Sequence, residues 1–109
     1  MNALTEQDFR LRSDEALEGL RQHLMTVPQA DLIELEMDDG VLNLLFEEPE
    51  ETRFVVSPNA PMRQIWVSAM ARGYKLSWSS EMAAFALEGE TLNQLVTRLV
   101  RDFLSGAHH

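Results

Sequence analysis

The chain has 109 residues, 45 % of them hydrophobic, with no cysteine and a formal net charge of −9. A chain of this length holds one core and no second lobe, and buries roughly two thirds of its unfolded surface, enough to fold without covalent staples. The missing cysteines remove disulfides, thiolate metal sites and cysteine nucleophiles together. Asp8, Arg10, Arg12, Asp14 and Glu15 interrupt any apolar run near the N-terminus, and no stretch approaches the ~18 apolar residues of a membrane helix. A single cytoplasmic domain over 1–109, ordered from about 5 to 104, is the expectation.

The charge is unevenly placed. Residues 1–51 carry 14 acids and 3 arginines, net −11, while residues 52–109 carry 4 acids and 6 bases, net +2. An acidic half repels nucleic acid and attracts cations or basic protein surfaces. Nucleic-acid binding needs a basic stripe that this sequence lacks.

Thr5-Glu6-Gln7-Asp8 reads as a helix start, with Thr5 as cap and acids in the positive first turn. Phe9, Ala16, Leu17, Leu20 and Leu24 fall within about 100° of arc and predict an amphipathic helix of roughly five turns ending near Pro28. The period then drops to two. Ile33, Leu35 and Met37 alternate with Leu32, Glu34 and Glu36 in a half-buried strand, and Asp38-Asp39-Gly40 is a hairpin signal. Val41–Phe46 returns, with Leu42, Leu44 and Phe46 on one face, and Glu47–Glu51 is read as a solvated loop. Arg53–Ser57 is the third strand, followed by a turn over Pro58–Pro61, and Gln64–Ala69 is the fourth. Arg72-Gly73 is expected to turn the chain into a hairpin of Lys75–Trp78 with Ala83–Leu87. Gly89-Glu90-Thr91 opens a second helix carrying Leu92, Leu95, Val96, Leu99 and Phe103 at helical spacing, with Arg98 and Arg101 on its polar side.

Strands joined by short turns pair antiparallel. Two terminal helices with apolar stripes both suit one face of such a sheet. The expected fold is therefore α+β: a two-layer sandwich, α-β-β-β-β-β-α, with five to six antiparallel strands and one face of the sheet left uncovered.

Two groups of residues stand out. Asp14, Glu15 and Glu18 on the first helix, with Asp31, Glu34, Glu36, Asp38 and Asp39 on and after the first strand, form an acidic ridge. Its hard oxygen ligands suit Fe²⁺ or Fe³⁺, and also Mn²⁺, Ca²⁺ or Mg²⁺. Glu34 and Glu36 share a side about 7 Å apart at Cα, so an ion would be shared only loosely. The bland alternative is a solvated face that keeps a small protein soluble. The second group centres on Trp66. If Ile65 and Val67 face the helices, Gln64, Trp66 and Ser68 face outward, and an aromatic there calls for a partner or for cross-strand packing against Lys75 or Arg63. His23 reads as a boundary residue of the first helix, Trp78 as hairpin packing, and His108 and His109 as a tail. Phosphate-loop, Gly-x-Ser-x-Gly and His-Glu-x-x-His motifs are absent. A non-enzymatic binder is expected, with weak ferroxidase chemistry the one enzymatic reading that carboxylates allow.

The segment Phe54-Val55-Val56-Ser57-Pro58-Asn59-Ala60-Pro61-Met62-Arg63-Gln64-Ile65-Trp66-Val67-Ser68 resembles the strand, Pro-containing turn and Gln-Ile/Val-Trp strand of the frataxin family. Asp39-Gly40-Val41-Leu42 with Phe46-Glu47, Gly73-Tyr74 with Trp78, and Gly89-Glu90-Thr91-Leu92 are similar to further family strings, in the same order over roughly residues 5–104. The chain departs from the family in three places. Ala83-Ala84 stands where a second large aromatic is usual, Ser57 and Asn59 replace an Asn and a Gln or Arg, and residues 22–31 hold one carboxylate where the family's acids are densest. The resemblance implies a monomeric accessory protein of iron–sulfur cluster assembly that donates iron or regulates sulfur transfer. It implies weak iron binding on the ridge, and docking on a cysteine desulfurase and an iron–sulfur scaffold protein, with Trp66 contacting the scaffold and Ser57, Asn59, Gln64 and Lys75 bordering that surface. A small acidic secretion chaperone, normally dimeric, is the alternative of another class.

Overall fold

The structure, a computed structural model, describes residues 4–106. Helix α1 spans Glu6–Leu24 and is capped by the Thr5 hydroxyl, which accepts from the Asp8 amide at 3.1 Å. A 3-10 turn at Ala30–Leu32, which the period-two reading passed over, leads into the strands. These are β1 (Glu34–Asp38), β2 (Val41–Phe46), β3 (Thr52–Asn59), β4 (Gln64–Ala69), β5 (Arg72–Ser79), β6 (Ala84–Leu87) and β7 (Glu90–Thr91), followed by α2 (Leu92–Ser105). The strands pair as one antiparallel meander in sequence order. The two-layer α+β sandwich is as expected, but with seven strands rather than five to six. The extra one is β7, two residues that pair with β6 before Thr91 starts α2. Thr91 and Gln94 form a reciprocal capping box, and Gly106, at φ 77°, ends the helix in the left-handed conformation glycine adopts freely.

Both helices place their apolar stripes on one side of the sheet. Phe9, Leu17, Leu20 and Leu24 of α1 and Leu92, Leu95, Val96, Leu99, Val100 and Phe103 of α2 are buried. They meet Leu42, Leu44, Phe46, Phe54, Val56, Ile65, Val67, Leu76 and Phe85 from the strands. Phe46, Phe54 and Phe103 pack ring against ring at centroid distances of 4.8 to 5.6 Å. His23 Nε2 lies 3.1 Å from the Thr97 hydroxyl and joins the two helices, which gives this half-buried ring a structural partner. Trp78 packs edge-on against Phe85 under the Arg12 guanidinium.

Two turns lie elsewhere than the residue types suggest. The β4–β5 connection is Met70-Ala71, not Arg72-Gly73, because Ala69 pairs with Arg72 and Gly73 sits in β5 opposite Ser68. Both turn residues have positive φ, 51° and 64°, the pattern of a tight type I′ turn usually built from Asn and Gly. Met70 accepts it while packing on the core. Strand β3 continues through Pro58 and Asn59, where a turn was expected. Proline is tolerated there because the β2 register ends at Leu42 opposite Val56, so Pro58 pairs only with Ile65 of β4. His108 and His109 lie outside the described residues.

Candidate functional site: the uncovered sheet face and its acidic edge

Cross-strand partners share a face, so the register decides which side chains meet on the side that neither helix covers. Glu34, Glu36 and Asp38 oppose Leu45, Asn43 and Val41, and therefore point away from the helices, while Leu35 and Met37 turn toward the core. The same face continues through Arg53, Val55, Ser57 and Asn59 on β3, Gln64, Trp66 and Ser68 on β4, and Lys75 and Ser77 on β5. Trp66 is half-buried, flanked by Ser57 on one side and Lys75 on the other. Lys75 Nζ sits 5.0 Å from its ring centroid, and the indole N–H donates to Gln64 Oε1 at 3.0 Å. Gln64 in turn donates to the Ser77 hydroxyl at 3.3 Å. The indole N–H and the Gln64 amide are thus paired within the patch, leaving the half-buried ring and the Lys75 charge to meet anything outside. Asn59 is engaged otherwise: its Oδ1 accepts from the Met62 amide at 3.0 Å and holds the β3–β4 turn.

Arg63, the other cation considered for Trp66, points elsewhere. Its guanidinium donates to the carbonyls of Leu4 and Ala60 and ties the start of the chain to the β3–β4 turn. Lys75 is the cross-strand cation.

The eight ridge carboxylates fall into two sets. Glu34, Glu36 and Asp38 line the edge strand of the open face, with Asp31 before and Asp39 after them, all exposed. Three strand spacings, roughly 14 Å, separate that edge from the strand of Trp66. Asp14, Glu15 and Glu18 belong to the helical layer, on the other side of the sheet. Glu15 lines a groove with Trp78, Ala84 and Asn93 and lies 3.7 Å from Arg12. Glu18 holds Arg21 through both oxygens, at 2.6 and 3.1 Å, and accepts from Gln22 at 3.0 Å. These hydrogen bonds, chiefly that to Arg21, keep its carboxyl below the usual range and occupy the atoms a metal would need. Among the described residues no three His, Asp or Glu side chains converge on a point that could hold an ion.

Sequence reasoning passed over Glu47, Glu48 and Glu51 as loop residues. In the structure they surround a groove together with Asp31 and Glu34. The meander implies this proximity: the end of β2 lies beside the start of β1, so the β2–β3 loop must reach the residues that precede β1.

A family model described as "Frataxin-like domain" matches residues 2–106. The chain is 28 % identical over 102 residues to the iron-sulfur cluster assembly protein CyaY of Pseudomonas fluorescens, covering 91 % of this chain and 88 % of that protein. It is 34 % identical over 71 residues to CyaY of Paraburkholderia phytofirmans, covering 65 % and 64 %. Frataxin from Psychromonas ingrahamii superposes with a TM-score of 0.74 at 13 % identity, over 94 % of this chain and 93 % of that one, a likeness of fold. The family-model match covers nearly the whole chain, and the chain belongs to the frataxin family. That membership decides between the family resemblance and the secretion-chaperone alternative.

Proposed function

We propose that this chain is an accessory protein of iron–sulfur cluster assembly that works by docking rather than by catalysis. The name shared by its CyaY relatives supports that setting. The observation that carries the reading is the uncovered sheet face, where Glu34, Glu36 and Asp38 along one edge and the Trp66–Lys75 pair in the middle share one side. A cysteine desulfurase with a basic surface suits the acidic edge, and the scaffold protein suits the Trp66 patch. Iron is cargo in this reading. Single exposed carboxylates on β1 would hold it weakly and in a wet environment, as a donor or sensor requires, and Asp14, Glu15 and Glu18 would add little because two of the three are engaged with arginines. The chain would act as a monomer in the cytoplasm; among the described residues no helix is long and apolar enough to cross a membrane.

The test is reconstituted cluster assembly with desulfurase and scaffold, with and without this protein, next to an anaerobic Fe²⁺ titration followed by amide NMR. The wild type should change the assembly rate, Trp66→Ala should lose that effect while staying folded, and broadening should gather at 34–39. A rate that ignores the protein, or a Trp66→Ala variant that acts like wild type, would sink the docking reading. Uniform or absent broadening would remove iron from it.

A further inference from the structure

We propose that the groove between α1, the β5–β6 hairpin and the first turn of α2 binds a small aromatic carboxylate, its ring against Ala16 and Gly19 and its anionic group drawn to Arg12. The groove lies in the helical layer, on the opposite side of the sheet from Trp66, and does not rest on the docking reading. It encloses about 420 Å³, within the roughly 300–1,000 Å³ of small-molecule sites. Its floor is aromatic and aliphatic: half-buried Trp78 lies edge-on to Phe85, with Leu92 beside them. Ala16 and Gly19 form the wall on α1, and Ala83 and Ala84 close the hairpin side, so small residues leave room for a flat ring over that floor.

Gly19 is the observation that points outward. Glycine weakens a helix interior relative to alanine, so its presence there needs a reason. Packing within the chain supplies none, because a Cβ at Gly19 meets no atom within 4 Å. Backbone conformation supplies none either, since Gly19 is not among the residues with positive φ. Close approach of an outside group to the helix backbone does supply one. Charge then selects the occupant. Arg10 and Arg21 hold their carboxylates at 2.6 Å, whereas Arg12 lies 3.7 Å from Glu15 and keeps capacity for a closer anion. The first turn of α2 carries no acid, unlike that of α1 with Glu6 and Asp8, and Glu90 just before it is held by Arg98. The positive end of α2 therefore adds to the Arg12 field in the groove. Glu15, the one acid among the described residues that line it, is the carboxylate a ligand would displace.

The probes are naphthoate and its neutral counterpart naphthamide, titrated into the ¹⁵N-labelled chain. Naphthoate should shift the amides of 12–19, 83–85 and 91–93 and the Trp78 indole N–H, leave the Trp66 indole N–H in place, and bind about tenfold more tightly than naphthamide. Arg12→Gln should bring the two probes to equal affinity. Glu15→Gln should strengthen naphthoate by about threefold, because it frees Arg12. Gly19→Leu, at an exposed helical position where leucine is a good helix former, should weaken both probes by about tenfold, with a thermal melt showing that the variant is folded. No saturable shift with naphthoate, equal affinity of the two probes for the wild type, shifts centred on Trp66, or naphthoate binding indifferent to Gly19→Leu or Arg12→Gln would overturn the proposal.

Discussion

Gly19 and Gly40 offer a paired test of the backbone reasoning, because a methyl group added at either meets no atom within 4 Å. Space therefore cannot decide the outcome; backbone conformation must. Gly19 sits inside the 19-residue α1, where glycine costs about 0.8–1 kcal/mol relative to alanine. Gly40 has φ +79° in the β1–β2 turn, where a Cβ costs about 1–2 kcal/mol. Near the transition the unfolding entropy of a domain of about 100 residues is roughly 0.2 kcal/mol per kelvin. Gly19→Ala should thus raise Tm by about 4 °C, and Gly40→Ala should lower it by about 5 °C or more. Thermal unfolding by circular dichroism reads both, and urea midpoints with an unchanged slope would place the effects in stability. If the two substitutions moved Tm in the same direction, the conformational argument for these positions would fail.

Three further outcomes follow from local geometry. Ala71 is exposed with φ 64° in the β4–β5 turn, so Ala71→Gly should stabilise by about 0.5–1 kcal/mol in urea denaturation, and a loss would refute the strain reading. Glu90 accepts from Arg98 at 2.9 and 3.0 Å, which holds its carboxyl below the ordinary value of 4.5. A depressed folded-state pKa contributes stability above the unfolded value and loses it as pH falls through the folded one. Glu90→Gln should cost about 0.5–1 kcal/mol at pH 7 and nothing once both states are protonated, so an unchanged pH-stability curve would count against the pair. Lys75→Ala removes an exposed cation from the Trp66 face and should cost about 0.5–1 kcal/mol with altered Trp fluorescence; a loss beyond about 2 kcal/mol would mean that Lys75 is structural.

The helices and most strands were legible because periods of 3.6 and two are imposed by burial on one side, and Leu17, Leu20, Leu42 and Leu44 obey them. The turn at Met70-Ala71 was not legible, since residue types favour Gly73 while the register, fixed by Ile65 and Val67 needing the core face, places the reversal two residues earlier. Pro58 misled for a related reason: whether a strand tolerates proline depends on the length of its neighbour, which no local pattern reports. At the site, the outward position of Trp66 followed from the alternation with Ile65 and Val67. The partition of the acids did not follow. Neither the Arg21 hold on Glu18 nor the approach of Glu47, Glu48 and Glu51 to Asp31 is encoded in spacing along the chain.

That partition gives the charge of −9 a direction. On the helices, carboxylates are placed three or four residues from arginines and their fields close within the chain, as at Glu6–Arg10 and Glu18–Arg21. On β1, and on the loop beside it, no arginine lies within ion-pair distance, Arg53 being the nearby one, so the field there extends into solvent over about a Debye length, ~8 Å at physiological salt. An edge strand exposes unpaired backbone groups that invite other strands, and acids at alternate outward positions of β1 discourage that pairing. The same three side chains that discourage edge pairing are the ones that, under the proposed function, meet a cation or a basic surface. Under the proposed function solubility and recognition share a physical cause, and what separates them is the neighbouring Trp66–Lys75 patch, whose half-buried aromatic would hold a partner once charge had brought it near.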